Sequence, residues 1–299
     1  MSRTAQPGIF AQGTRSHHYL ELTARPDAEV PALRRALRRL REPGVTAGGL
    51  NLVVAFGPSL YRRVHPEDAP ADLRDFEAIS VAGGTRGVPS VQRDLWLWLH
   101  GTGTDVVLDG ARLAAAALAP VAEVSLEQPA HVYRDGRDMT GFIDGTENPP
   151  VEEAPEVALV PGGPGAGGSH MVVIRWVHDL AAFDALPLDE QQQVIGRTKL
   201  ASEELQHKAP TAHIARVTIE EDGEELEIYR RSTPFGTVGE QGLYFVAFSA
   251  DPSRFTKMLH RMYGVDDQVR DRLTDFSRPT TGGHYFAPSL QAWEQLLEG

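Results

Sequence analysis

Four short segments of this 299-residue chain hold the side chains able to do chemistry. The richest runs from Arg134 to Pro149 and contains GFIDGTENP, in which Asp144 stands between Gly141 and Gly145. Glycines in such a frame let the backbone approach something large and flat, with a carboxylate aimed at it. The same residues also suit an Asx-capped turn. The second segment, entering an apolar run, is Thr211 to Val217, where His213 is either a satisfied core histidine or a neutral imidazole ligand. The third, Tyr229 to Gly236, sets Arg230 and Arg231 at a strand end before a Pro-Phe-Gly turn. Two permanently charged guanidinium groups there read either as ordinary surface charge or as stabilisers of developing negative charge. The fourth runs from Asp271 through Asp275 to Ser289 and carries two carboxylates and the pair Gly282-Gly283.

Other chemistries are excluded by what is missing. The chain has no cysteine, which removes disulfides, zinc ribbons, iron–sulfur clusters, thiolate-ligated haem and thiol nucleophiles. GxxxxGKS/T, HExxH, GxSxG and a GxGxxG following a strand are all absent. The glycine-rich stretch from Pro161 to Gly168 lacks the lysine that would hold phosphate and reads as a loop. A formal net charge of −12 argues against general nucleic-acid binding, because phosphate would be repelled. The basic face Arg34-Arg35 with Arg38-Arg39 reads as a solvated surface. No apolar leader and no membrane-length apolar run stand out, so the expectation is a cytoplasmic protein without a membrane partner.

The elements that must position these residues follow from periodicity. Strands are expected at His18–Thr23, Gly49–Phe56, Asp94–Leu99, Ala122–Leu126, Met171–Val177, His213–Ile219, Leu226–Tyr229 and Gly242–Phe248. Helices are expected at Val30–Arg41, Gly110–Leu118, Asp189–Ile195 and Asp251–Tyr263. The strand and helix from His18 are echoed from His170, and those from Asp94 from Gly242, which points to an internal duplication. The predicted class is α+β, with two ferredoxin-like units whose antiparallel sheets carry peripheral helices in the manner of a dimeric α+β barrel. The boundary falls between residues 1–128 and 129–299.

The motifs GFIDGTENP, AHIARV, RRSTPFG and TDFSRPTTGGHYFAPS, in this order, resemble the haem-dependent dye-decolourising peroxidases. The short chain is similar to their compact B-type subgroup, and the resemblance spans nearly the whole length. It implies one haem b per subunit in the C-terminal half. It implies that His213 is the axial ligand of iron, Asp144 the distal aspartate and Arg230 the distal arginine, with Ser232 as a small polar distal residue. Asp275 is the expected carboxylate behind the axial histidine, with Asp271 in reserve. Arg197, with Gly145 and Thr146, is assigned to cofactor binding.

The activity implied is reduction of hydrogen peroxide through a ferryl intermediate, followed by one-electron oxidation of dyes and phenolics. A nearby arginine is expected to lower the pKa of Asp144 and preserve activity at mildly acidic pH. Two alternatives are a haem-handling, iron-releasing protein resembling deferrochelatases and a non-haem α+β binding module. Ferredoxin-like pairs usually assemble through their surfaces, so a homo-oligomer is expected, and the C-terminal residues Leu296 to Gly299 suggest no docking tail for a protein shell.

Overall fold

The computed structural model describes residues 3–46, 48–81 and 87–298; Met1, Ser2 and Gly299 of the terminal segments read above lie outside these. The first half runs β1 (Ser16–Ala24), α1 (Val30–Leu37), β2 (Leu50–Phe56), α2 (Pro58–Val64), β3 (Leu95–Gly101), α3 (Thr104–Leu118) and β4 (Ala122–His131). The second runs β5 (Ser169–His178), α4 (Leu188–Ile195), α5 (His213–Val217), β6 (Tyr229–Arg230), β7 (Thr233–Gly236), β8 (Gln241–Ser249), α6 (Ser253–Met262), β9 (Ser277–Pro279), β10 (Gly283–Ala287) and α7 (Leu290–Glu298).

In the first half the strands lie in the order β4-β1-β3-β2, and in the second β10-β5-β8-β6, all antiparallel. Each half therefore has the ferredoxin-like arrangement, with β1 and β3 at the centre of the first and β5 and β8 at the centre of the second. The repeat read from His18 and His170 falls on β1 and β5, and that from Asp94 and Gly242 on β3 and β8. Pairing of Phe286 with Phe56 joins β10 to β2 and makes one ten-stranded sheet. The hydrogen-bonded path is open at both ends, so the barrel is not closed.

Alternation in β3 explains how the layers form. Leu95, Leu97 and Leu99 face α1 and α3, whereas Trp96 and Trp98 face a core shared by the two half-sheets. That shared core also takes Tyr19, Val53, Met171, Phe235, Tyr244 and Tyr285. On the outer face of the second half, α6 presents Phe255, Met258, Leu259 and Met262 to Val172, Ile174 and Trp176. Burying each such side chain is worth roughly 1.5–3 kcal/mol.

Two expected strands differ. His213–Val217 is a short helix, because a brief apolar run has no periodicity that separates helix from strand. Its helical path places Ile214 and Val217, three residues apart, on one lining face with His213. Of Leu226–Tyr229 only Tyr229 joins the large sheet, while Glu220–Glu221 and Glu224–Glu225 pair across the Asp222-Gly223 turn.

Candidate active site

A cavity with about 1540 Å³ of empty space, its open mouth included, lies between the outer face of β5 and β8 and helices α5 and α6. Its walls are largely apolar, from Ile174, Trp176, Phe245, Phe255 and Met258. Of the residues named from the sequence, Asp144, Gly145, Thr146, Arg197, His213 and Arg230 all line it.

His213 opens α5, after the extended residue Ala212. Its Nδ1 lies 2.7 Å from Oδ2 of Asp271, a fully buried carboxylate. With Nδ1–H donating to that acceptor, Nε2 is the nitrogen left for a ligand. Asp271 also accepts from the backbone N–H of Leu273 at 2.8 Å, capping the tight turn Arg272–Asp275. The expected residue, Asp275, is instead exposed and bound to Arg270 at 2.7 Å. The 3-10 turn that begins after Asp271 carries Asp275 away from the histidine, so the reserve assignment is the one the geometry supports.

Asp144 sits in a loop whose two glycines have positive φ, Gly141 at 87° and Gly145 at 77°. The backbone angle of Gly141 calls for glycine; a Cβ there would meet only the flexible end of the Lys199 side chain, which can move aside. Burial pushes the Asp144 pKa up; Arg230 opposes this and Asp138 adds to it. The net upward direction reverses the expectation that the arginine would hold it low. In this pocket desolvation outweighs the guanidinium.

Arg230 and Arg231 diverge, as adjacent residues of an extended segment must. Arg230 lines the cavity, and its buried Nε has no partner among the described residues. Arg231 turns to the other side, where its guanidinium donates to the carbonyls of Ile9 at 2.8 Å and Ala11 at 2.7 Å. Asn148, passed over in the sequence reading, fixes this register. Its side chain donates to the Arg230 carbonyl at 2.8 Å and accepts from the Arg230 N–H at 2.9 Å.

Ser232 is not brought to the main cavity. It lines a second one, with about 1300 Å³ of empty space, which meets the first at Asp144, Gly145 and Arg230. Arg197 lies at the main cavity's polar edge, paired with Glu147 and bound to the Ser202 carbonyl at 2.5 Å, with a buried unpartnered Nε. Sequence reasoning also missed His178 and Asp138, which line the cavity and bond to each other at 3.1 Å. Burial disfavours the Asp138 charge, but His178 and two hydrogen bonds from Thr140 outweigh it and bring the pKa down to about 2. Asp138 lies within the segment from Arg134 to Pro149, but no spacing in the sequence tied it to a histidine 40 residues further on.

The donor set fits a large, flat, mostly apolar group with a polar edge. An imidazole nitrogen is free on one wall, a carboxylate and a guanidinium stand elsewhere in the same cavity, and two buried guanidinium nitrogens lack partners. These features define a duplicated ferredoxin-like protein with a histidine-bearing cofactor cavity.

Comparison with known proteins agrees. The family model described as "Dyp-type peroxidase, C-terminal" matches residues 135–292. A dye-decolorizing peroxidase from Rhodococcus erythropolis is 36% identical over 254 residues, covering 82% of this chain and 74% of that protein. The solved structure of a dye-decolorizing protein from V. cholerae superposes with a TM-score of 0.88 at 36% identity, over 98% of this chain and 99% of that one. A DypB variant from Rhodococcus jostii RHA1, solved in complex with heme, gives 0.88 at 32% identity over 99% and 100%. The chain belongs to the dye-decolourising peroxidase family, oxidoreductases that act on hydrogen peroxide.

Among the described residues no helix is long and apolar enough to cross a membrane.

Proposed function

We propose that the chain binds one haem b in the main cavity and uses it, as a compact B-type member, to reduce hydrogen peroxide and oxidise dyes, phenolics and other one-electron donors. The observation that carries this reading is the presence in one apolar cavity of a histidine backed by a buried carboxylate and of the pair Asp144 and Arg230. His213 would hold the iron through Nε2, and Arg197 would partner the cofactor's acidic edge with Gly145 and Thr146 beside it. Bound there, the haem supplies an iron that accepts peroxide and holds the oxidising equivalents released.

The protein's own groups handle protons and charge. Asp271 holds the imidazole in one tautomer and raises its basicity. Asp144, when ionised, takes the proton from one peroxide oxygen and returns it to the departing oxygen. Arg230 stabilises the negative charge that builds on the departing oxygen. Because Asp144 and Arg230 border both cavities, a small neutral oxidant can meet them from the second cavity while the cofactor fills the first. Ser232 lines that approach. A haem carrier needs neither Asp144 nor Arg230, which favours the enzyme over the haem-handling reading. The protein works as a homo-oligomer in the cytoplasm.

The test is hemin uptake followed by one equivalent of hydrogen peroxide, watched optically with a dye present. A Soret band that changes on peroxide addition, with dye bleaching, supports the proposal. Uptake without any peroxide response would favour haem handling.

A further inference from the structure

The mechanism above leaves one large buried polar group unused. Glu21, on β1, is 2% exposed and lies in the core shared by the half-sheets. Its Oε1 accepts from the Tyr244 hydroxyl at 2.7 Å and its Oε2 from the Tyr285 hydroxyl at 3.0 Å. The Tyr244 oxygen in turn accepts from Nε1 of Trp96 at 3.1 Å. The indole can only donate, so the Tyr244 O–H is committed to Glu21. A buried carboxylate costs several kcal/mol in lost hydration, a cost that an apolar residue at this position would not carry. This arrangement instead resembles a phenol supplied with its own proton acceptor.

Its position joins it to the site. Tyr244 lies on β8 between Leu243 and Phe245, and both neighbours line the main cavity. Alternation sends the Tyr244 ring to the opposite face of the same strand, about one packed layer away, roughly 10 Å. The ring stacks on Tyr19 with centroids 4.2 Å apart, and Tyr19 lies 5.9 Å from Trp98. Neither neighbour suits a lasting oxidised state. Tyr19 bonds only a hydroxyl, that of Thr233, at 2.8 Å, and the Arg231 guanidinium lies 5.1 Å from the Trp98 ring centre, where it opposes a second positive charge. Within this cluster Tyr244 and Tyr285 face a carboxylate, and of the two only Tyr244 stands on a strand whose flanking residues line the cavity; Tyr61 also donates to one, Asp68 at 2.7 Å, but lies in the core under the first half-sheet.

We propose that Tyr244 is an internal electron donor whose phenolic proton passes to Glu21. One electron leaves the Tyr244 ring for the cofactor cavity and reduces one oxidising equivalent there. The O–H bond breaks, and the proton moves along the existing hydrogen bond to Oε1. The products are a neutral tyrosyl radical and a protonated Glu21; with the electron gone the cluster passes from one negative charge to none, so no cation is left in the buried core. The cluster is fully buried, so no reducing substrate touches it; it holds an oxidising equivalent when substrate is lacking. The inference rests on the peroxidase reading, which supplies the oxidant.

The experiment is electron paramagnetic resonance on haem-loaded protein frozen after hydrogen peroxide addition without a reducing substrate, with peroxide consumption followed in the same samples. The expected result is a tyrosyl signal, narrowed by ring-deuterated tyrosine, that is lost in Tyr244→Phe and in the near-isosteric Glu21→Gln but kept in Tyr285→Phe. A signal unchanged in Tyr244→Phe or in Glu21→Gln, one lost only in Tyr285→Phe, or no tyrosyl signal at all would overturn the inference while normal peroxide consumption leaves the enzyme reading standing. Protein that takes up haem but consumes no peroxide overturns both.

Discussion

Arg230 and Arg231 are neighbours in sequence and differ in everything that bears on chemistry. Replacing Arg230 by Leu removes the cavity's guanidinium and should slow the reaction with peroxide by about 10²–10³-fold. Arg231→Leu should leave that rate near wild type and lower thermal stability instead, by about 1–3 kcal/mol, since two carbonyls lose their donor. Stopped-flow mixing and thermal melts of both variants check the ranking. Asp144 must be ionised to accept a proton, and burial holds its pKa above the usual carboxylate value. The peroxide rate should therefore rise with pH through a limb above about 3.9. Arg230→Leu should move that limb higher still, because the opposing positive charge is gone; a rate–pH profile of the two proteins measures it. The choice of Arg230 over Arg231 came from the family resemblance of RRSTPFG, since two adjacent arginines alone do not say which one faces the cavity. The choice between Asp271 and Asp275 was not legible in the sequence, because it depends on whether the intervening turn is tight, and both turns fit the same residues.

At the scale of elements, the short helix α5 and the turn Arg272–Asp275 act as one device that orients the imidazole. Asp271→Asn should weaken haem affinity or peroxide turnover by about 10–100-fold, while Asp275→Asn should do neither. Hemin titration and steady-state rates distinguish them. The loop holding Asp144 depends on Asn148 gripping the Arg230 backbone at both its N–H and its carbonyl. Most long strands of the sheet were readable from alternation, most clearly at β3, but β7, β9 and β10 were not, being short and rich in Gly and Pro. The helix at His213 was not, since five residues are too few to show a period and its conformation is set by packing under the cavity.

At the scale of the molecule, the two halves share the core that contains Tyr19, Trp96, Trp98, Tyr244 and Tyr285, although the sequence divides into similar units. The duplication was visible in the chain; the shared core was not, because which faces of two repeats meet is a long-range matter. Asp138 links this stability to pH. Its folded pKa of about 2 lies below the unfolded value of about 3.9, so its contribution is fully present above pH about 4 and is lost as pH falls toward 2. Asp138→Asn should remove that dependence, a change of about 2 kcal/mol seen as a flatter acid-unfolding curve. The account as a whole depends on the imidazole at position 213 meeting iron. Hemin titrated into wild-type protein and into His213→Ala measures this most directly. A high-spin ferric Soret spectrum in the first, lost or shifted in the second along with dye oxidation, is the predicted result. An unchanged spectrum and undiminished dye oxidation in His213→Ala would contradict it.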